Sequence, residues 1–234
     1  MIKFSIIFPS RQRTPLLINL IKSIKKTTSN LDEIEVLIAY DSDDETFAFP
    51  SGEKFIQTFE MERLDSIVAY YNILATKTVG EYIITVNDDC EFETQDWDKL
   101  LWSFIEKNVP EDGIAYISVD DGYKKHKPVT EDGNNFSCFP ILSNKSVKAM
   151  KQCFNKQFKA WGADTNIYLI FKTIDRVFYF NDMKIEHISY HNGLRERDDI
   201  NVHVAYMHKS NTPDKTQNFI ELPIERLKAC LRED

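Results

Sequence analysis

Short runs rich in β-branched and aromatic residues alternate along the chain with longer stretches of helical periodicity, the pattern of α/β units around a largely parallel sheet. Phe4 to Phe8, Glu35 to Tyr40, Tyr82 to Val86 and Ile114 to Val119 predict strands buried on both faces, and Lys54 to Phe59 a short strand between βαβ elements. Between the first two strands, Pro15 stands at a first helical turn and the apolar positions Leu17, Leu20, Ile21 and Ile24 share one face, so a helix over 15–24 packs on the sheet. Ser66 to Thr76 and Asp96 to Asn108 carry the same helical spacing.

Beyond the fourth strand, Asp120 to Asn135 is rich in Gly, Asp, Lys and Asn and predicts a long excursion, a kind of loop that is often functional. A strand resumes over Phe139 to Leu142, Ser143 or Asn144 caps a helix over Lys145 to Cys153, and another helix begins near Asp164. Two strands are expected over Arg176 to Phe180 and Lys184 to Ser189, followed by an amphipathic stretch, Ile224 to Leu231, suited to packing or to self-association.

The 234 residues suffice for one large globular domain over 1–234, in which 192–234 forms a C-terminal lid and helical extension. No apolar run reaches the roughly 18 residues needed to span a bilayer, and MIKFSIIFPSR lacks the apolar region of a secretory signal, so a soluble, cytoplasmic protein is expected. The cysteines, Cys90, Cys138, Cys153 and Cys230, form no Cys-x-x-Cys pair and are read as reduced thiols. A formal net charge of -8 disfavours nucleic acid as a partner. The basic cluster Lys124 to Lys127 reads as a solvated loop.

Ligands of open α/β sheets bind beyond the carboxyl ends of the strands, and four predicted strand ends here carry polar groups. They are Pro9-Ser10-Arg11, Asp41-Ser42-Asp43-Asp44, Asn87-Asp88-Asp89 and Asp120-Asp121. Any one acidic pair is an ordinary turn. Four ends together bring carboxylates close enough to repel, a conflict that a divalent cation relieves, and Mg²⁺ or Mn²⁺ prefers such oxygen ligands. An EF-hand over Asp41 to Gly52 is excluded, because its sixth and twelfth positions are Thr46 and Gly52.

In their order these pieces resemble a GT-A fold glycosyltransferase of the family 2 type. Ser5 to Arg11 resembles that group's first strand and nucleotide loop, Val36 to Asp41 its second strand, and Asn72 with Gly80 to Ile84 the helix and strand that precede its acidic metal motif. The likeness implies a Rossmann-like, mostly parallel sheet flanked by helices. It also implies nucleotide contacts at Pro9, Ser10, Arg11, Asp41, Asp43, Asn72 and Asp88, and a metal site of Asp89, Asn87 and His187. Asn87 stands where the usual Asp-x-Asp motif has its first acid, and His191 is the substitute for His187.

Ala160-Trp161-Gly162-Ala163-Asp164 resembles the segment that supplies the catalytic base, with Ala163 where an acid is common. A carboxylate there can take the proton of an attacking hydroxyl; the alternative role for Asp164 is capping the helix. Asn192 to Asp199 reads either as a lid over bound nucleotide, its arginines facing the diphosphate, or as a mobile surface loop. The resemblance implies transfer of a sugar from a nucleotide-diphosphate sugar, a UDP-sugar first, to a glycan or other acceptor hydroxyl, with inversion and with Mn²⁺ or Mg²⁺. A sugar-nucleotide-forming enzyme would need a Gly-rich first loop, absent from Pro9 to Arg13. A non-catalytic nucleotide-sugar or glycan-binding protein is the alternative that Asn87 and Ala163 leave open.

Overall fold

Strand β1 (Phe4–Ser10) lies at the middle of the parallel half of the sheet, bonded to β2 (Ile34–Asp41) on one side and β4 (Tyr82–Thr85) on the other. Apolar residues on both faces explain the position: Phe4, Ile6, Ile7 and Phe8 are all fully buried. The computed structural model describes residues 1–49, 52–122, 136–204 and 220–231. Eight strands form one mostly parallel sheet in the order β3-β2-β1-β4-β7-β6-β8-β5, with helices on its faces. The others are β3 (Ile56–Met61), β5 (Cys90–Phe92), β6 (Tyr116–Asp120), β7 (Ile141–Ser143) and β8 (Val177–His187). Strand β7 runs antiparallel between β4 and β6, and β5 pairs antiparallel with β8.

Helix α1 (Thr14–Thr27) starts on Pro15 and buries Leu17, Leu20, Ile21 and Ile24, as the spacing predicts. Ser66 caps α2 (Ile67–Ala75) by accepting from the Ala69 amide, and Ser143 caps α4 (Asn144–Met150) through the Ser146 amide. Helix α3 (Trp97–Asn108) docks through Trp97, fully buried against Phe4 and Phe92. Helix α5 is Ala163–Thr173, residues 199–204 are helical, and α6 is Glu221–Cys230. Helix α6 packs on α4 and α5 with Ile224 and Leu227 buried and Arg226 bonded to the Met150 carbonyl, the packing role expected for that stretch.

Several expectations change: the strand expected over 139–142 is Ile141–Ser143, and the helix expected over 145–153 ends at Met150. The third strand begins two residues later than Lys54. The two late strands are one long strand interrupted by a bulge: the ladder with β6 passes from Phe180 opposite Val119 to Lys184 opposite Asp120, so the polar Asn181-Asp182 that reads as a break falls in the bulge. Strand β5 was not expected from the sequence, being too short for any periodicity to show. The cluster Lys124 to Lys127, most of the 120–135 excursion and much of the 192–234 extension lie outside the described residues.

Candidate functional site

The loop after β1 turns sharply at Gln12, whose φ of 55° is left-handed. Asp44 holds that turn: its carboxylate accepts from the Gln12 amide at 2.7 Å and from the Thr46 amide and hydroxyl at 3.0 and 2.6 Å. The turn aims Arg11 at the end of β2, where Nη1 donates to Asp41 at 2.9 Å and the guanidinium forks onto both oxygens of Asp43. Asp41 is buried and also accepts from the Tyr70 hydroxyl of α2.

Arg13, the last residue of that loop, reaches the acidic turn after β4. Asp88 and Asp89 are both buried there, a costly arrangement for two carboxylates without counter-charge. Asp88 accepts from Ser10 Oγ at 3.0 Å and Arg13 Nη1 at 3.1 Å. Asp89 accepts from Arg195 Nη2 at 2.6 Å, and Arg13 stands 3.7 Å from it. Burial pushes Asp88 up to about 6, against the pull of Arg13. For Asp89 burial acts the same way but is outweighed by the neighbouring His187, Arg13 and Arg195, which hold it down at about 2.

The short strand β5 decides what faces Asp89. Cys90 pairs with His187 in the β5–β8 ladder, and the Ile188 amide donates to the Asp89 carbonyl at 2.8 Å. Helix α1 secures β5, because Ser23 Oγ accepts from the Phe92 amide at 3.0 Å. His187 Nε2 thereby lies 3.2 Å from Asp89 Oδ1. The chain after β8 folds back over the same carboxylates. Arg195 is anchored on the Ile188 carbonyl and Asn201, and Asp198 takes two 2.8 Å bonds from Arg13 while starting the helical 199–204 segment through the Asn201 amide.

Across the cavity, Gly162 adopts φ +90° immediately before α5, and a Cβ there would meet the Phe158 ring at 3.1 Å. That turn sets Asp164 in the first helical turn, where Oδ1 accepts from the Thr165 amide. One cavity of about 710 Å³ collects these parts: Pro9, Ser10, Arg11, Asp41, Asn87, Asp88, Asp89, Asp164, His187 and His191 all line it. Separate pieces of sequence, from 9 to 191, meet there.

Two residues expected at the nucleotide do not line this cavity. Asn72 turns away: its amide bonds the Phe154 carbonyl and the Cys153 and Phe154 amides, bracing the loop after α4. Asp43 stands outside the wall, gripping Arg11. The fourth strand end is also structural, since Asp120 accepts from the Gly122 amide and Asp121 from the Cys138 amide. Arg13, Tyr70 and Tyr71 went unnoticed in the sequence. The only signal for Arg13 was its place at the mouth of a helix following a strand. Arg195 points at Asp89, and Arg197 lies over the Tyr190 ring.

The fit of a divalent cation turns on Asp89. Its buried Oδ1 faces the ring nitrogen of His187 at 3.2 Å; an oxygen and an imidazole nitrogen so placed fit two ligands of one ion. Among the described residues no group of three or more His, Cys, Asp or Glu side chains is arranged around an ion. Asn87 Oδ1 is already 2.7 Å from the Tyr71 hydroxyl. The donor set therefore suits a divalent cation held by two protein ligands that keeps positions for water and phosphate oxygens.

The chain matches the protein family described as Glycosyl transferase family 2 over residues 5–162. No curated protein sequence matches it significantly. Among solved structures it is similar in fold to the S. aureus TarS 1-349 complex with UDP, with a TM-score of 0.59 and 13% identity, covering 97% of this chain and 71% of that one. A mannosyltransferase, PcManGT from Pyrobaculum calidifontis, in complex with GDP-Man and Mn²⁺, gives 0.60 and 10%, covering 98% and 74%. Against a longer TarS structure the chain spans 36% of the length.

Proposed function

Because the chain belongs to glycosyl transferase family 2, we propose that it transfers a sugar from a nucleotide-diphosphate sugar, a UDP-sugar, to an acceptor hydroxyl with inversion, assisted by Mn²⁺ or Mg²⁺. One observation carries the reading: the ends of β1, β2 and β4, His187 of β8 and the first turn of α5 line a single cavity. TarS has been solved with UDP and with UDP-GlcNAc, and PcManGT with GDP-Man and Mn²⁺, which supports a nucleotide sugar as the donor here.

Within that reading, Pro9, Ser10, Arg11 and Asp41 hold the nucleoside, and Arg11 and Tyr70 orient the Asp41 carboxylate. Asp89 and His187 would hold the cation, which when bound would supply Lewis-acid stabilisation for charge on the leaving diphosphate. Arg13 and Arg195 keep Asp89 ionised and add positive charge at the same place. Asp164 accepts the proton of the attacking hydroxyl, and a base on the face opposite the leaving group yields inversion by direct displacement. Residues 192–204 serve as the lid of a single catalytic domain. No helix among the described residues is long and apolar enough to cross a membrane. The cytoplasm is the proposed compartment, supported by four free cysteines.

A second reading, binding without turnover, is favoured by Asn87 and Ala163 in place of acids. Incubation with UDP- and GDP-sugars and Mn²⁺, with nucleotide release as the readout, separates the two. Release that is lost in Asp164→Asn supports transfer; binding with no release from any donor, in wild type and variant alike, overturns it.

A further inference from the structure

Between Asp164 and the 190s the cavity wall carries a row of rings. The Trp161 indole lines the cavity yet remains 42% exposed, unusual for a side chain that large. His191 stands against it at 6.2 Å between centroids and 66°, and Tyr190 lies 3.8 Å from His191. Arg197 covers the Tyr190 ring at 5.6 Å. Gly162 forms the turn between Trp161 and α5, where its positive φ and the Phe158 ring 3.1 Å from a would-be Cβ disfavour any other residue. The exposed indole is thus three residues before the proposed base, on the same cavity.

We propose that Trp161, with His191 and Tyr190, is the binding platform for the acceptor, and that the acceptor is a neutral saccharide. The inference rests on the reading of Asp164 as the base. A pyranose ring has an apolar C–H face and a rim of hydroxyls. The site matches both, with an exposed indole for the face and the polar side chains of Tyr190, His191 and Asp164 lining the same cavity for the rim. Stacking on Trp161 holds the ring by its face and leaves an edge hydroxyl free to approach Asp164. A nucleobase also stacks on an indole but does not pair an apolar face with a rim of hydroxyls, and its binding is an opposing outcome of the test.

The chain has three tryptophans, and only one reports on this rim: Trp97 is fully buried on Thr28, and Trp102 is part-buried and bonded to Glu106. Protein loaded with UDP and Mn²⁺ is titrated with maltotetraose, cellotetraose and chitotetraose, and with an octathymidylate, by tryptophan emission and by calorimetry. At least one tetrasaccharide is expected to shift the emission. Trp161→Ala should weaken its binding about tenfold or more, and Trp161→Phe by less, since a well-placed aromatic contact is worth about one such factor. If Trp161→Ala does not fold by circular dichroism, His191→Ala tests the same wall and should also weaken binding.

Absence of binding by every saccharide, equal affinity in wild type and both rim variants, or binding of the octathymidylate alone overturns the proposal. UDP binding by the wild type is measured separately. Its failure would count against the glycosyl-transfer reading, whereas intact UDP binding with an inert rim would count against the acceptor platform alone.

Discussion

His187 Nε2 faces Asp89 Oδ1 at 3.2 Å because Cys90, the residue after Asp89, pairs with His187 in the β5–β8 ladder. Ninety-odd residues of chain separate the two, and a strand of three residues brings them together. The carboxylate so placed is buried, with its other oxygen held by Arg195. In the proposed reaction it is a cation ligand, with the imidazole as the other.

Removal of divalent cations with EDTA should therefore abolish nucleotide release, and Mn²⁺ should restore it. Binding is checked independently by the paramagnetic resonance signal of free Mn²⁺ in the presence of UDP. Asp89→Ala should leave that signal unchanged by protein, and His187→Ala should weaken Mn²⁺ binding; a variant at Asp89 that binds Mn²⁺ like wild type would remove the metal site from this position.

Asp164→Asn should lower the rate of transfer by about 10²- to 10⁴-fold, the usual worth of a general base. UDP affinity by calorimetry should stay near wild type, since the substitution keeps shape and hydrogen-bonding capacity. If Asp164 serves only the helix start, both quantities will be nearly unchanged.

Arg13→Ala leaves Asp88 and Asp89 buried with less counter-charge and takes two of its bonds from Asp198, which keeps Arg195 and the Asn201 amide. Removing one partner of a buried ion pair costs about 3–5 kcal/mol, and urea unfolding should show a loss of that order. Asp88→Asn introduced into Arg13→Ala should recover part of it. A lone Arg13→Ala with wild-type stability would show that the cluster is solvated in the folded protein.

Gly80→Ala tests the strand that delivers the acidic turn. A Cβ at Gly80 would come within 2.5 Å of Ser5 Oγ and 2.8 Å of the Ser5 amide. The Ser5 hydroxyl is itself bonded to the buried Glu35, so it has no easy retreat. Overpacking of this kind costs about 1–3 kcal/mol, read as a shift of the urea midpoint.

Stability should depend on pH in two opposite ways. Asp88, held up at about 6 against an ordinary 3.8, binds its proton more tightly when folded. Its contribution is full below about pH 4 and is lost as pH rises towards 6. Asp89, held at about 2, contributes above about pH 4 and loses that contribution as pH falls towards 2. Urea midpoints taken in steps from pH 3 to 7 should pass through a maximum, and Asp88→Asn should flatten the fall on the alkaline side.

Much of the architecture follows from local pattern. Strands such as β1 and β2 are continuous apolar runs because both faces are covered, and α1 shows its Pro15 start and its apolar face directly in the residues. The strand-end positions of Arg11, Asp41 and Asp88-Asp89 were legible for the same reason: a polar group that follows such a run must emerge at the sheet's edge. Long-range pairing left no such trace. Strand β5 is too short to have a period, Asn72 differs from a ligand-binding amide only in its tertiary neighbours, and Arg13 could have pointed to solvent. Their roles depend on which backbone groups and charges lie opposite once the chain has closed, and burial then forces those partners to match: Asn72 on the 153–154 backbone, Arg13 between Asp88 and Asp198, His187 against Asp89.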